Sequence, residues 1–398
     1  MIPTLQTPVG MDELIASIKN ITSNGKATPL FEESFKKFID CRHVIFTDSG
    51  LSALYTLLNA YNITSGDEVL VPGYICETVV RLLLDFGLKI NFVDVELDSY
   101  NINPESLKEN ITINTKVVLM AHMFGNPCNT KAITEICSDH KILLLEDSAQ
   151  CIGAEIKGQK VGSFGDASFF SFNNAKPMTT LGGGMITTND SDIYSKSRKI
   201  INSFKERSLR HSISVFAQLG FYTILKNKTI YHLSHYLIEK RRKQRWSSLQ
   251  DIKGLAYLSY KPHDLHSAIG LSQVKKINHF NKIREKNTTF LVSKLSKLEG
   301  LTTPKFNDNV NSFFLRLPVL TESREVRDYL KNQLLLNGIE ASIGYPNYLP
   351  EYFGIDNDCP NCKTLVDTTL TLPTHPLVNK NDLENIFTVL ENSYKTIT

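Results

Sequence analysis

The sequence predicts an α/β protein, with a mainly parallel central sheet flanked by helices and a smaller C-terminal α/β domain. Three observations predict it. Across the first 150 residues, short β-branched runs alternate with helical stretches of about ten residues, which implies βαβ units and a sheet covered on both faces. Beyond about residue 285 a second βα pattern begins. At 398 residues the chain also exceeds one ordinary hydrophobic core.

Hydrophobic periodicity places strands over 43–47, 67–72, 88–94, 116–121 and 141–145, and helices over 51–61, 77–86 and 131–140. In the second part a strand is expected over 312–317, with helices over 325–337 and 382–394. The domains are then 1–260 and 261–398, the latter opening on a connecting helix. Ligands of such sheets bind at the carboxyl ends of the strands. Ser49-Gly50, Pro72, Asp147 and Lys176 fall at or just after such ends, so they are expected to face one crevice.

Composition narrows the function classes. An apolar content of 41% with 21% charge describes a soluble globular chain, and a formal charge of +3 gives no case for nucleic acid. The opening residues hold no basic region followed by an apolar stretch, so a cytoplasmic protein is expected. Seven scattered cysteines read as reduced thiols. Cys359-Pro-Asn-Cys362 is an isolated CxxC. A zinc or redox role needs a second ligand pair or a thioredoxin-like context, and neither is visible, so no metal is expected.

One stretch breaks the pattern. Residues 205–245 carry ten Lys/Arg against two acids, a charge of +8 that leaves −5 on the rest of the chain. They form the core of a basic amphipathic helical insert over 205–253. The longest run there without a charged residue is 211–225, too short to span a bilayer. Three readings fit: weak association with an anionic membrane surface, cover for a partner subunit, or packing on its own domain with a solvated basic face.

The chemistry lies in two residues. Asp147 closes the apolar run Ile142-Leu-Leu-Leu-Glu-Asp147, and Lys176 sits between the apolar strand Ser168-Phe-Phe-Ser171 and the glycine run Gly182-Gly-Gly184. Taken singly, they read as a helix-capping Asp and a snorkelling surface Lys. Together, in this order, they are what pyridoxal 5′-phosphate (PLP) needs. The carboxylate keeps the pyridine nitrogen protonated so that the ring draws electrons, and the amine holds the aldehyde as a Schiff base. Freed by an amino donor, the same amine serves as general acid and base. Charge pairing is expected to lower the pKa of Asp147. Gly50 and Leu51 open the helix after the first strand, where free N–H groups and the helix dipole suit a phosphate.

These motifs carry a resemblance. Glu146-Asp147-Ser-Ala-Gln150, Gly158-Gln-Lys-Val-Gly-Ser-Phe-Gly-Asp166, Phe170-Ser171-Phe-Asn-Asn-Ala-Lys176 and Gly182-Gly-Gly-Met-Ile-Thr-Thr-Asn-Asp190 resemble the DegT/DnrJ/StrS aminotransferases. The likeness runs from Ile2-Pro3 to Leu372-Pro-Thr-His-Pro376. It implies fold type I and amino transfer from glutamate or glutamine to a keto sugar, mostly nucleotide-linked, for surface polysaccharides. It also implies that Gln150 bonds the cofactor's phenolic oxygen and that Ser171 binds its phosphate. A homodimer with shared active sites follows, the stretch at Ser259-Tyr260-Lys261 entering the partner's site from an exposed loop.

The chain departs from that pattern at three places. Leu51 stands where the family has Thr, which removes a phosphate hydroxyl unless Ser52 supplies one. Cys76 stands where an aromatic covers the ring, with Tyr74 nearby, and Ser259 replaces an Asn. A non-catalytic PLP-fold sensor or scaffold is the rival reading, since drift would leave such changes. Relatives that dehydrate instead carry His in place of the Lys, and Lys176 argues against that chemistry.

Overall fold

The computed structural model describes residues 1–6, 8–22, 26–235, 237, 240, 255, 258–305 and 310–397. The chain runs through α1 (Met11–Thr22), α2 (Ala27–Ile39), β1 (His43–Thr47), α3 (Gly50–Ala60), β2 (Glu68–Pro72), α4 (Glu77–Asp85), β3 (Lys89–Val93), α5 (Pro104–Asn110), β4 (Thr115–Ala121), α6 (Thr130–His140) and β5 (Leu143–Asp147). A hairpin of β6 (Glu155–Ile156) and β7 (Gln159–Lys160) precedes β8 (Ala167–Ser171), β9 (Gly184–Thr188), α7 (Ser191–Asn202) and α8 (Leu209–Ile224). Then come α9 (Asp264–Gln273), α10 (Ile277–Leu295), β10 (Val310–Asn311), β11 (Arg316–Leu320), α11 (Arg324–Leu336), α12 (Leu349–Phe353), α13 (Pro360–Thr368), β12 (Thr369–Pro373) and α14 (Lys380–Ile397).

The main sheet has seven strands in the order β1-β9-β8-β5-β4-β2-β3. β3, β2, β4, β5 and β8 pair in parallel, and β9 pairs antiparallel with both β8 and β1. β1 therefore runs with the majority, and β9 alone is reversed. The carboxyl ends of β1, β2, β5 and β8 share one edge of the sheet. β11 and β12 form a separate antiparallel pair.

Two expected strands are displaced, each for a physical reason. The strand predicted over 141–145 is Leu143–Asp147, because Lys141 adopts a left-handed conformation (φ 55°) and its N–H closes α6 onto Cys137 and Ser138. The strand predicted over 312–317 is Arg316–Leu320. Phe313, Phe314 and Leu315 are buried ahead of it, and the Leu315 N–H is committed to Phe124 O at 2.8 Å.

Burial follows the periodicity. α3 turns Leu54, Leu57 and Leu58 fully inward, and they share one apolar cluster with Leu317, Ile386 and Leu390 from the C-terminal elements. Burying each such side chain contributes about 1.5–3 kcal/mol. A second cluster holds Phe31 and Phe35 of α2 against Phe46, Phe170 and Phe172, with ring centroids 5.1–5.7 Å apart for the Phe31–Phe46, Phe31–Phe172, Phe35–Phe170 and Phe35–Phe172 pairs. It fixes the floor beneath the end of β8. Within the insert, Val215 and Leu219 of α8 are buried with Val9, Leu265 and Ile269. Residues 241–253, including Arg241, Arg242 and Lys243, lie outside the described residues. No described helix is long and apolar enough to cross a membrane.

Candidate active site

The turn from β1 into α3 makes an anion cradle. Ser49 caps the helix, its side chain accepting the Ser52 N–H at 3.0 Å, a cap that contributes about 1 kcal/mol. With the Ser52 N–H taken by this cap and the Ala53 N–H by Ser49 O, the Gly50 and Leu51 N–H groups are those of the opening turn without a partner inside the helix. Gly50 is required there, since a Cβ would lie 2.8 Å from Ser171 Cβ and 3.2 Å from Phe170 O. Gly50 and Ser171 thus lie against each other, with Leu51 next in α3, and no described group bonds the Ser171 hydroxyl. Ser52 does not replace the missing hydroxyl. It is buried, and its Oγ donates to Leu258 O at 2.8 Å.

Lys176 lies in the loop between β8 and β9, which is tied at both ends. The Phe172 N–H donates to Gly183 O and the Thr180 N–H to Phe172 O, each at 3.0 Å. Fully buried Arg284 donates to Pro177 O at 2.8 Å, directly after the lysine. Gly184 lets the end of this loop close on the cradle, because a Cβ there would meet the Ser49 backbone at 2.5 Å. Lys176 is half-buried and close enough to Asp147 to act on its charge.

Asp147 ends β5, is 9% exposed, and accepts the Ala149 N–H at 3.0 Å. The expected lowering of its pKa is not what the protein alone gives. Burial raises it, and the opposing pull of Lys176 and the Ala149 N–H does not cancel that effect. Beside it, fully buried Glu146 accepts from His122 Nε2 (2.9 Å) and from the N–H groups of Gly162 (2.6 Å), Phe164 (2.9 Å) and Gly165 (3.1 Å). Burial works to raise its pKa too, yet His122 and these N–H groups hold it below the ordinary value. This network fixes the end of β5 from below. Gln150 donates to Tyr345 Oη at 2.8 Å.

The donor set fits PLP: an anion cradle with an uncommitted serine hydroxyl, a buried carboxylate, and an amine in the crevice they share. Comparison with known proteins decides the family. The family model described as "DegT/DnrJ/EryC1/StrS aminotransferase family" matches residues 11–391. The chain belongs to this family. GDP-perosamine synthase of Vibrio cholerae is 27% identical, with 95% of this chain and 93% of that protein covered. Among solved structures, the aminotransferase TlmJ from Streptoalloteichus hindustanus superposes with a TM-score of 0.83 at 22% identity, covering 100% of both chains. The E. coli GDP-4-keto-6-deoxy-D-mannose-3-dehydratase with bound hydrated PLP gives 0.78 at 22% identity, covering 98% of this chain and 99% of that one. At these identities the two structures show the fold.

Against the family pattern, the departures take definite places. Cys76 caps α4, half-buried, with its Sγ 3.2 Å from Thr78 Oγ1. Tyr74 cannot cover the ring in its stead. It is 1% exposed and lies under Tyr345, with centroids 5.3 Å apart and planes at 85°. Ser259-Tyr260-Lys261 is half-buried rather than a free loop. Its backbone pairs with Lys205, and Arg207 stacks on Tyr260 at 4.0 Å while pairing with Asp48, next to the cradle.

Two residues of this DegT/DnrJ/EryC1/StrS chain's site escaped the sequence reading. Tyr345 follows Gly344, a left-handed residue (φ 68°) in Ile343-Gly-Tyr-Pro346, and that turn was a usable signal. Arg316 is the one charge in the apolar run 313–320, a second signal. Elsewhere, Asp94 joins Cys359 and Cys362 with all three donor atoms within 4.8 Å of one another. The spacing of the cysteines does not reveal this. Both Asp94 oxygens already accept N–H groups, from Asn361 and Cys362.

Proposed function

We propose that this chain is a PLP-dependent aminotransferase that moves an amino group from glutamate or glutamine to a nucleotide-linked keto sugar, feeding surface-polysaccharide synthesis. The convergence of Lys176, Asp147 and the Gly50–Ser171 cradle at one sheet edge carries this reading. PLP, when bound, supplies an electron sink that stabilises negative charge on the substrate carbon. The protein's residues do the rest. The α3 N–H groups and Ser171 would hold the phosphate, Asp147 would keep the ring nitrogen protonated, and Gln150, bonded to Tyr345, would orient the phenolic oxygen. Lys176 Nζ would hold the cofactor through its aldehyde and, once released, would serve as the general acid and base. Cys76 would cover the ring with a small, polarizable side chain, which would leave room for a bulky substrate.

Related proteins named for GDP-, UDP- and dTDP-linked sugar amination support the substrate class. A panel of nucleotide 3-keto and 4-keto sugars with L-glutamate tests it, and at least one is expected to be turned over. Turnover of a small keto acid alone would refute the sugar class. The half-reaction with L-glutamate separates this reading from the sensor or scaffold. An enzyme converts the cofactor's absorbance to that of the amine form, and a sensor leaves it unchanged.

We read residues 1–260 as the cofactor domain and 261–398 as the smaller domain of a cytoplasmic homodimer. In this reading Ser259, held beside the cradle through Leu258 and Lys205, would serve the partner's phosphate across a two-fold axis. Light scattering is expected to give a dimer, and a stable, fully active monomer would contradict that. For the insert we favour packing over membrane contact, given the buried Val215 and Leu219.

A further inference from the structure

Arg316 opens β11 between buried Leu315 and Leu317. Its Nη1 donates to Ser342 Oγ at 3.0 Å, and its guanidinium carbon lies 5.1 Å over the Phe124 ring. The remaining edge, Nε with Nη2, has no acceptor among the described residues, and Nε is closed to solvent. No described carboxylate pairs with this side chain; its polar neighbours are Tyr345, Tyr74 and Cys76.

Arg316 is half-buried, its Nε is closed to solvent, and no described counter-charge offsets it; a desolvated cation left unpaired is costly, so its retention points to an anion that arrives later. Arg284 gives the contrast. It is fully buried without an acid and its Nε likewise has no described partner, but both terminal nitrogens are committed, to Asn281 Oδ1 and Pro177 O at 2.8 Å each. Arg284 is therefore scaffolding for the lysine loop. Arg316 instead presents the edge whose two parallel N–H groups match a carboxylate. That edge lies in the wall containing Tyr345, which binds Gln150 and senses the charge of Asp147.

We propose that Arg316 binds a carboxylate of the amino-acid donor, holding it between Cys76 and Tyr345 while the donor's amine reaches Lys176. This rests on the aminotransferase reading above and assigns the donor half of its site. A phosphate of the sugar nucleotide offers the same anionic chemistry, so the test must separate the two sources.

Arg316→Gln holoenzyme is expected to show a KM for L-glutamate raised about 10- to 100-fold, the loss of one charge-assisted pair. The KM for the keto sugar and the bound cofactor's absorbance should stay unchanged. Arg316→Lys, which keeps the charge but loses the fork, should fall between the two; it carries the test if the glutamine variant does not fold. Glutarate, an unreactive dicarboxylate, should raise the melting temperature of wild-type holoenzyme and not of Arg316→Gln. An unchanged glutamate KM with cofactor bound overturns the proposal. So does a rise confined to the keto sugar, which assigns the anion to the nucleotide. A wild-type protein that binds no PLP defeats the aminotransferase reading instead, which is a distinguishable failure.

Discussion

Lys176→Ala is expected to lower transamination by about 10,000-fold or more while leaving the protein folded. Two functions sit on one atom. Nζ would both hold the cofactor through its aldehyde and serve as the general acid and base of the reaction. Alanine supplies neither. The loop itself is held by Phe172, Thr180 and Gly183 backbone bonds and by Arg284 on Pro177, none of which uses the lysine side chain. The loop should therefore keep its shape, while Asp147 loses the charge of Lys176 that opposes its burial. Lys176→Arg keeps the charge and removes the reactive amine, and is expected to be equally inactive. Borohydride should fix the cofactor on one peptide of the wild type and on none in either variant. Half-reaction rates with L-glutamate give the magnitude. Retention of more than about a hundredth of wild-type rate in both variants would mean that another group carries the proton.

Much of this site was legible because it is written locally. The βα alternation gave the parallel sheet, and sheet geometry then gathered Gly50, Asp147 and Lys176 at one edge, although they are far apart in sequence. Asp147 closes its strand as read, even though that strand starts two residues later than periodicity suggests. The shift comes from Lys141, whose left-handed conformation no propensity rule demands of a lysine. The reading failed where long-range packing decides. Arg316 and Tyr345 come from far downstream of Lys176, and only the folded chain reveals the Gln150–Tyr345 bond. Ser52 was available by spacing as a phosphate ligand, but Leu258 claims its hydroxyl. The sign of the Asp147 shift was missed for a similar reason. Sequence shows which charge will pair with it, not how completely the strand end is desolvated.

That sign makes a second large expectation. In the protein alone, burial raises Asp147 above its ordinary value of 3.8. A carboxyl whose folded pKa exceeds its unfolded one binds more protons when folded, so stability falls as pH rises between the two values. At neutral pH the ionised group is thus a cost in the cofactor-free protein, and Asp147→Asn should make that form more stable. The cofactor reverses the balance, because a pyridinium beside the carboxylate favours the charged state. PLP should therefore raise the melting temperature of wild type more than that of Asp147→Asn. The asparagine retains an acceptor for the Ala149 N–H but cannot keep the ring nitrogen protonated. Its transamination rate is expected to drop roughly 100- to 1,000-fold, the scale of losing one preorganised electrostatic contact. The two effects have opposite signs in the two forms of the protein, which a merely structural aspartate cannot produce. Denaturation of cofactor-free protein across pH 3 to 8, with and without the substitution, measures the first, and the glutamate half-reaction measures the second. A variant destabilised in both forms would reduce Asp147 to a cap for the turn at Ala149. A variant stabilised when empty and slow when loaded would establish that the strand end trades stability for charge at the place where the ring needs it.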